Sequence, residues 1–496
     1  MTEKKEKPAG TFEFQGSLPR LPVPALEETL GKFLLWTAPL LDERGQKETR
    51  EAVDAFLAPD GAGKTLQRRL EKWARETPES WLAGFWLRTY LDSDSPLPIN
   101  SNVFSLLDLP PVTGSSPRAR RAAVLIAAAL SLKKSIDDET LPPDTERGTP
   151  LCMSQYKNMF GSTRIPGISG DELFVAPNSR HIAVFYRGRA WSLEVLSPEG
   201  EGASYDSIVA RLDEISASVQ QGEGIGVGTT LPRRHWGTLR EKLFSFCPEN
   251  RRNMEMIESA LFVLSLDPKN PEPLREKGFH YLAGTGANRW YDKSFQILVD
   301  EEGETGLNFE HSALDGSQHA RLAAAILKTG ERASAGEWKA PPALPLSFLL
   351  SEELAHELKE AERSFERLRE STRLRVLEFT SFGREKIKRL GMSPDAFCQT
   401  AMQATIFDLY GKFLNAYEAV MTRQFLLGRT EAMRPVTPEI AAFVHARTAE
   451  HLKAASSAHT GRIAECREGR GVDRHLFGLK KMMELFGQEI GVEETP

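Results

Sequence analysis

Cysteine is scarce in this chain of 496 residues: four, at positions 152, 247, 398 and 466, with no CxxC pair among them. That spacing excludes a disulfide scaffold and a zinc knuckle, and it predicts a reducing compartment. Long apolar runs are lacking too. The longest, 122–132 between Arg121 and Lys133, falls well short of the ~20 residues a membrane helix needs, and it predicts a buried helix instead. There is no basic excess: 63 Lys and Arg stand against 69 Asp and Glu, a net charge of -6, which removes the electrostatic case for a nucleic-acid or anionic-membrane protein. The lysine-rich start, MTEKKEKPAG, has no apolar stretch after it and so is no secretory signal; residues 1–19 are expected to be a disordered tail. Metal-binding patterns are missing, since His356-Glu357 has no second His four residues on and His311 with His319 has no third ligand, so no metal site is expected. Phosphate loops fail in the same way. APDGAGKT (58–65) has Ala58 where a glycine is required, and GEGIGVGTT (222–230) lacks the third glycine in register, predicting a flexible turn. No repeat of fixed period is found.

What is present is a globular composition, 40% hydrophobic and 27% charged, in a chain too long for one core; two domains are expected. The pattern is helical from about Glu51 to Tyr90, after an extended Pro-rich stretch and a docking helix within 21–41. A Pro- and Ser-rich loop at 92–118 leads into strand-like runs at Ile182 to Tyr186, Trp191 to Val195 and Phe295 to Val299, mixed with a helix over Tyr205 to Val219. A second Pro-rich stretch at 340–347 precedes an amphipathic helix over Ser351 to Ser371 and a strand-like RLRVLEFTSF. Ser393 with Pro394 opens a helix to about Leu427, and Thr437 with Pro438 opens another to about Glu468. The class is mixed α/β.

FEHSALDG (309–316) holds one His followed four residues later by Asp315. On its residues alone His311 is either a satisfied structural histidine or a general base, because imidazole can take a proton near neutral pH and return it. FGREKIKRLGMSPDAF (382–397) sets Arg384, Lys386, Lys388 and Arg389 ahead of a helix N-terminus at Ser393, an arrangement that suits a phosphate or is a plain basic surface.

Seven segments, in order and over nearly the whole length, resemble the choline/carnitine acyltransferase family: SLPRLPVPALEETL (17–30), QYKNMFGSTRIPG (155–167), NRWYDKSFQ (288–296), FEHSALDG, SPDAFCQ (393–399), NAYEAVMTRQFLLGRTEAMRP (415–435) and GVDRHLFGL (471–479). The resemblance implies a two-domain CoA-dependent acyltransferase fold, like that of chloramphenicol acetyltransferase, with the active-site tunnel between the domains. The expected division is a helical segment (20–95) packing on the C-terminal domain, a catalytic-His domain (96–345), and a CoA- and carnitine-binding domain (346–496). It also implies that the C-terminal part of the family fold, with its Ser-Thr-Ser motif, is missing, since no such tripeptide occurs.

By the same resemblance, the chain transfers an acyl group reversibly between acyl-CoA and the hydroxyl of carnitine. His311 is the base, Asp315 helps to position it, and no covalent intermediate forms. Arg384, Lys388 and Asp395 fall on the positions that serve CoA; Arg384 replaces a lysine. Tyr417, Thr430 and Arg474 fall on the carboxylate-binding positions, and because the choline branch replaces the last two, they point to carnitine. Ala432 departs from the family's hydroxyl or amide. The alternative is a non-catalytic or truncated relative that binds CoA or acyl-CoA. The expected partners are these small molecules only, with no nucleic acid and no transmembrane segment. The protein is expected to be a monomer, cytoplasmic or, failing that, in an organelle lumen.

Overall fold

The apolar run Ile182 to Tyr186 meets two environments: Ile182, Val184 and Tyr186 pack into one set of core residues, Ala183 and Phe185 into another. Successive side chains on a strand point to opposite faces, so a run of this kind is covered on both sides. In the computed structural model, which describes residues 9–329, 336–492 and 494, it is the strand His181–Tyr186 of a seven-stranded mixed sheet. Across the sheet the strands run Val103–Leu107, Thr305–Phe309, Phe295–Val299, Val263–Leu266, His181–Tyr186, Arg189–Glu194 and Leu344–Leu346. Val263–Leu266 is parallel to both neighbours and every other pairing is antiparallel. The helix Pro117–Asp137 carries the run 122–132, buried at every position except Ser131, and packs Ala122, Leu125, Ile126, Ala129, Leu130 and Leu132 into the first set.

The described chain divides into two units: residues up to 13, 87–143 and 153–376 form the first, and 14–86, 144–152 and 377 onward the second. The division differs from the expected one at 345–346. The helix Glu352–Ser371, capped by Ser351 on the Leu354 N–H, packs Leu354, Leu358 and Ala361 against Trp236, Leu243 and Phe244, and so belongs to the first unit. Residues 144–152 belong to the second through Arg423, whose guanidinium donates to the Cys152 carbonyl at 2.7 Å and pairs with Asp144 at 2.8 Å.

In the second unit the helices Leu26–Thr37, Glu43–Leu57 and Ala62–Glu76 bury Leu26, Leu30, Val53, Leu66 and Leu70 with Leu479 and Met482 of the helix Asp473–Ile490. A second group of helices, Pro394–Tyr410, Pro438–Ala446 and Ala449–Arg467, shares Ala404, Ile440, Val444 and Ala455. Beside them lies a two-stranded hairpin, Glu418–Met421 with Thr430–Met433.

Several sequence expectations need correction. Of the tail, 1–8 lie outside the described residues, but 9–19 are ordered: Thr11 is wholly buried, and its hydroxyl donates to the Leu141 carbonyl at 2.8 Å. The helix opened by Ser393 stops at Tyr410, where Gly411 turns left-handed at φ 67° and closes on the Phe407 carbonyl. The next helix breaks at Arg447, left-handed at φ 51°, and restarts with Thr448 as cap. RLRVLEFTSF has the alternation of a strand but joins no ladder among the described residues. The glycine-rich 222–230 is no flexible turn: Ile225–Thr230 is a buried 3-10 helix, and a Cβ on Gly228 would strike the Trp236 ring. Among the described residues no helix is long and apolar enough to cross a membrane.

Candidate active site

His311 stands two residues beyond the strand Thr305–Phe309, which is buried along its whole length, and ahead of the helix Gly316–Leu327. The strand fixes one end of the turn and the helix the other. Within it, His311 Nδ1 lies 2.7 Å from the Leu314 carbonyl oxygen. A carbonyl only accepts, so Nδ1 carries a proton, and the neutral form of the ring is then the tautomer with its lone pair on Nε2. The Tyr90 ring meets the imidazole edge-on, with centroids 5.8 Å apart.

Both residues flanking this turn are held by long-range contacts. Glu310, buried, accepts from the Ser312 N–H at 3.0 Å and from its hydroxyl at 2.5 Å, and pairs with Arg164 at 3.5 Å. Arg164 also donates to Asp171 at 2.6 Å and to the Tyr90 carbonyl at 2.5 Å. Arg233 joins Asp171 at 2.7 Å to Asp292 at 2.6 Å, and Trp236 donates to Asp292 at 2.8 Å. Burial pushes the Asp292 carboxyl up while Arg233 pulls it down, so the acid needs both of its donors. The result is a buried lattice behind the histidine in which two guanidiniums touch three carboxylates and each charge meets an opposite one. On the other flank, Asp315 exchanges two hydrogen bonds with Gln155: its backbone N–H donates to Oε1 and its carboxylate accepts from Nε2, both at 2.8 Å.

In the second unit, Arg474 is the second residue of the helix Asp473–Ile490 and is 8% exposed. Its Nε donates to the Thr430 carbonyl at 3.0 Å, its backbone N–H to Glu431 at 3.1 Å, and its guanidinium carbon sits 3.7 Å from the centre of the Trp86 ring. Among the described residues its Nη2 is buried without a hydrogen-bond partner. Burial lifts the Glu431 carboxyl to about 7, with Arg474 the chief opposing charge. Tyr417 is not brought to the same place. Glu418 pairs with Met433 while Met421 pairs with Thr430, so the register puts Tyr417 at the far end of the hairpin, 56% exposed.

The short helix Arg384–Arg389 shows Arg384, Lys386, Lys388 and Arg389 to solvent, with Arg384 and Lys388 four residues apart on one face. Asp395, in the first turn of Pro394–Tyr410, lies 3.2 Å from His459 Nε2, and Glu418 lies 3.4 Å from the same nitrogen. These three side chains are near enough to share a cation. Burial and the neighbouring Asp395 lift the Glu418 carboxyl to about 7.

The choline/carnitine O-acyltransferase family model matches residues 21–493. The chain belongs to this family. A rat carnitine O-acetyltransferase is 31% identical, covering 96% of this chain and 80% of its own. A zebrafish (Danio rerio) choline O-acetyltransferase is 31% identical over 94% of this chain and 78% of its own, and a muscle carnitine O-palmitoyltransferase 1 from rat 31% over 96% and 65%. Among solved structures a chloramphenicol acetyltransferase aligns at 14% identity with 52% of this chain and 95% of its own, at a TM-score of 0.22, too loose a superposition to argue from.

This member of the choline/carnitine O-acyltransferase family is thus a mixed α/β acyltransferase. Its relatives differ in acceptor and in acyl length, so identity alone does not choose between carnitine and choline. The residues that sequence reasoning missed are Gln155, Arg164, Glu310, Glu418 and His459. Gln155 and Arg164 lie inside a segment that resembles the family, but their partners stand 160 and 146 positions away, as the numbering shows for Asp315 and Glu310.

Proposed function

We propose that the chain moves an acyl group reversibly between acyl-CoA and the hydroxyl of carnitine, with His311 as general base. The observation that carries the proposal is the 2.7 Å contact from His311 Nδ1 to the Leu314 carbonyl, which leaves Nε2 as a proton acceptor. In the forward direction Nε2 takes the hydroxyl proton and the oxygen attacks the thioester carbonyl. The C–O bond forms, the C–S bond breaks, and the thiolate leaves with the proton that the imidazolium returns. No enzyme atom is acylated. In this reading Asp315 keeps the turn in shape, and Arg384, Lys388 and Asp395 serve CoA. The assignment to CoA rests on the resemblance and on two exposed cations four residues apart on one helix face, of which Arg384 also lies 3.9 Å from Glu385.

Carnitine is favoured over choline by Arg474. A buried guanidinium N–H without a partner among the described residues is a donor aimed at an acceptor, and only carnitine brings a carboxylate. Thr430, whose carbonyl holds the Arg474 Nε, belongs to the same subsite; Tyr417, which stands at the other end of the hairpin, is not included in it.

The test is thiol release from acetyl-CoA, octanoyl-CoA and palmitoyl-CoA with L-carnitine or choline, comparing wild type with His311→Ala. Turnover with carnitine that vanishes in the variant while CoA binding persists supports the reading. Turnover that survives in the variant removes His311 from the mechanism. Absence of turnover with every pair, together with measurable CoA binding, favours a protein that acts by binding.

A further inference from the structure

The Leu314 carbonyl that orients His311 and the Asp315 N–H that Gln155 accepts from belong to a single peptide group. That group is planar and rigid, with its C=O and N–H pointing in opposite directions. Gln155 Oε1 at 2.8 Å from the Asp315 nitrogen therefore fixes the plane, and the plane fixes where the Leu314 oxygen points. The second Gln155 contact, Nε2 to the Asp315 carboxylate at 2.8 Å, prevents the amide from turning away. Both side chains are buried, Gln155 6% and Asp315 8% exposed, so water does not compete for these bonds. Gln155 sits in the 3-10 turn Ser154–Asn158, of which it and Tyr156 are the buried residues, outside the strand, turn and helix that carry His311.

We propose that Gln155 is a positioning residue for the reaction: through the Leu314–Asp315 peptide it sets the tautomer and direction of the His311 imidazole. The proposal rests on His311 being the base. A misplaced base loses rate without losing substrate, because binding is made elsewhere and only the proton transfer depends on the angle of Nε2.

Gln155→Met keeps the volume and removes both hydrogen bonds; Gln155→Glu keeps an acceptor but sets one carboxylate against another. For Gln155→Met we expect kcat to fall about 10- to 100-fold while both KM values stay within about twofold. For Gln155→Glu, activity relative to wild type should recover as pH falls. A protonated carboxyl again offers one donor and one acceptor, as the amide does, whereas a pure packing defect has no such dependence. Nitrogen-15 imidazole spectra, with the His311 signal identified by its loss in His311→Ala, should show the Nδ1–H tautomer in wild type and a mixture in Gln155→Met. A kcat within about threefold of wild type, a loss confined to KM, a flat pH ratio for Gln155→Glu, or an unchanged tautomer overturns the proposal. If instead His311→Ala keeps its activity, the base assignment has failed, and the tautomer spectrum still reports whether Gln155 orients the ring.

Discussion

Replacing Arg474 by asparagine separates a carboxylate-binding cation from a structural one. The guanidinium is held from below by the Trp86 ring at 3.7 Å and at one edge by the Thr430 carbonyl at 3.0 Å, while Nη2 is buried with no partner among the described residues. Leaving such a donor unmatched costs about 1 to 3 kcal/mol, so the fold carries a strain that a bound acceptor relieves. A hydrogen bond from a charged donor to a carboxylate contributes about 1.5 to 3 kcal/mol; at about 1.4 kcal/mol per factor of ten, its loss lowers kcat/KM for carnitine roughly 10- to 100-fold. Choline has no carboxylate, so with choline the same variant should change kcat/KM by no more than about threefold. The structural contacts of Arg474 are lost whichever acceptor is offered, which makes choline the internal control. The assay is thiol release at saturating acetyl-CoA with each acceptor varied in turn. Equal losses with carnitine and choline would mean that Arg474 only props the Thr430 strand, and the argument for carnitine would fall with it.

Two further outcomes follow from the second unit. Converting Arg384 and Lys388 together to glutamine should raise KM for CoA about 5- to 30-fold with kcat nearly unchanged, because two exposed cations facing phosphate contribute about 1 to 2 kcal/mol in all; the effect should shrink at high salt and with dephospho-CoA, and an equal effect with dephospho-CoA would place the pair away from the 3'-phosphate. His475 is buried between Thr29 and Gln67, which contact Nδ1 at 2.7 Å and Nε2 at 2.8 Å, and burial lowers its pKa from 6.5 to about 4. The unfolded chain takes up this proton first, so the contribution of His475 is intact above pH 6.5 and is lost as pH falls toward 4, about 3 kcal/mol in all. Urea unfolding at several pH values checks this by difference: the stability of wild type minus that of His475→Gln should fall as pH drops from 6.5 to 4, while Glu418 and Glu431, lifted to about 7, act in the opposite direction over the same range in both proteins and cancel in the difference.

What could be read from the sequence is what has both of its partners within one turn of chain. Ser393 with Pro394, Thr437 with Pro438 and Ser351 each cap a helix through an N–H three residues on, and each start was legible for that reason. Helix ends were less legible. Gly411 was a visible stop that the apolar residues after it masked, while Arg447 takes a left-handed turn that nothing in its side chain announces. RLRVLEFTSF has a strand's alternation, but a ladder needs a neighbour, and periodicity says nothing about whether one is present.

The site divides along the same line. His311 and Asp315 stand four residues apart and could be proposed as a pair, yet the acceptor for His311 Nδ1 is the Leu314 carbonyl, a backbone group present at every position and therefore invisible to any reading of side chains. The charges behind the histidine come from positions 164, 171, 233, 292 and 310, each unremarkable alone, and only the folded chain brings together the short strand, loops and helix start that carry them. Such groups are tolerated in a dry core because every one is paired; removing one leaves its partner uncompensated, at a cost of about 3 to 5 kcal/mol. A core of this kind resists drift, and that resistance is what an imidazole needs if its Nε2 is to meet a hydroxyl at one angle. Rigidity around His311 therefore comes from residues chosen for each other and not for the substrate. Their chemistry is ordinary ion pairing, and their consequence is felt at a turn that none of them occupies except Glu310.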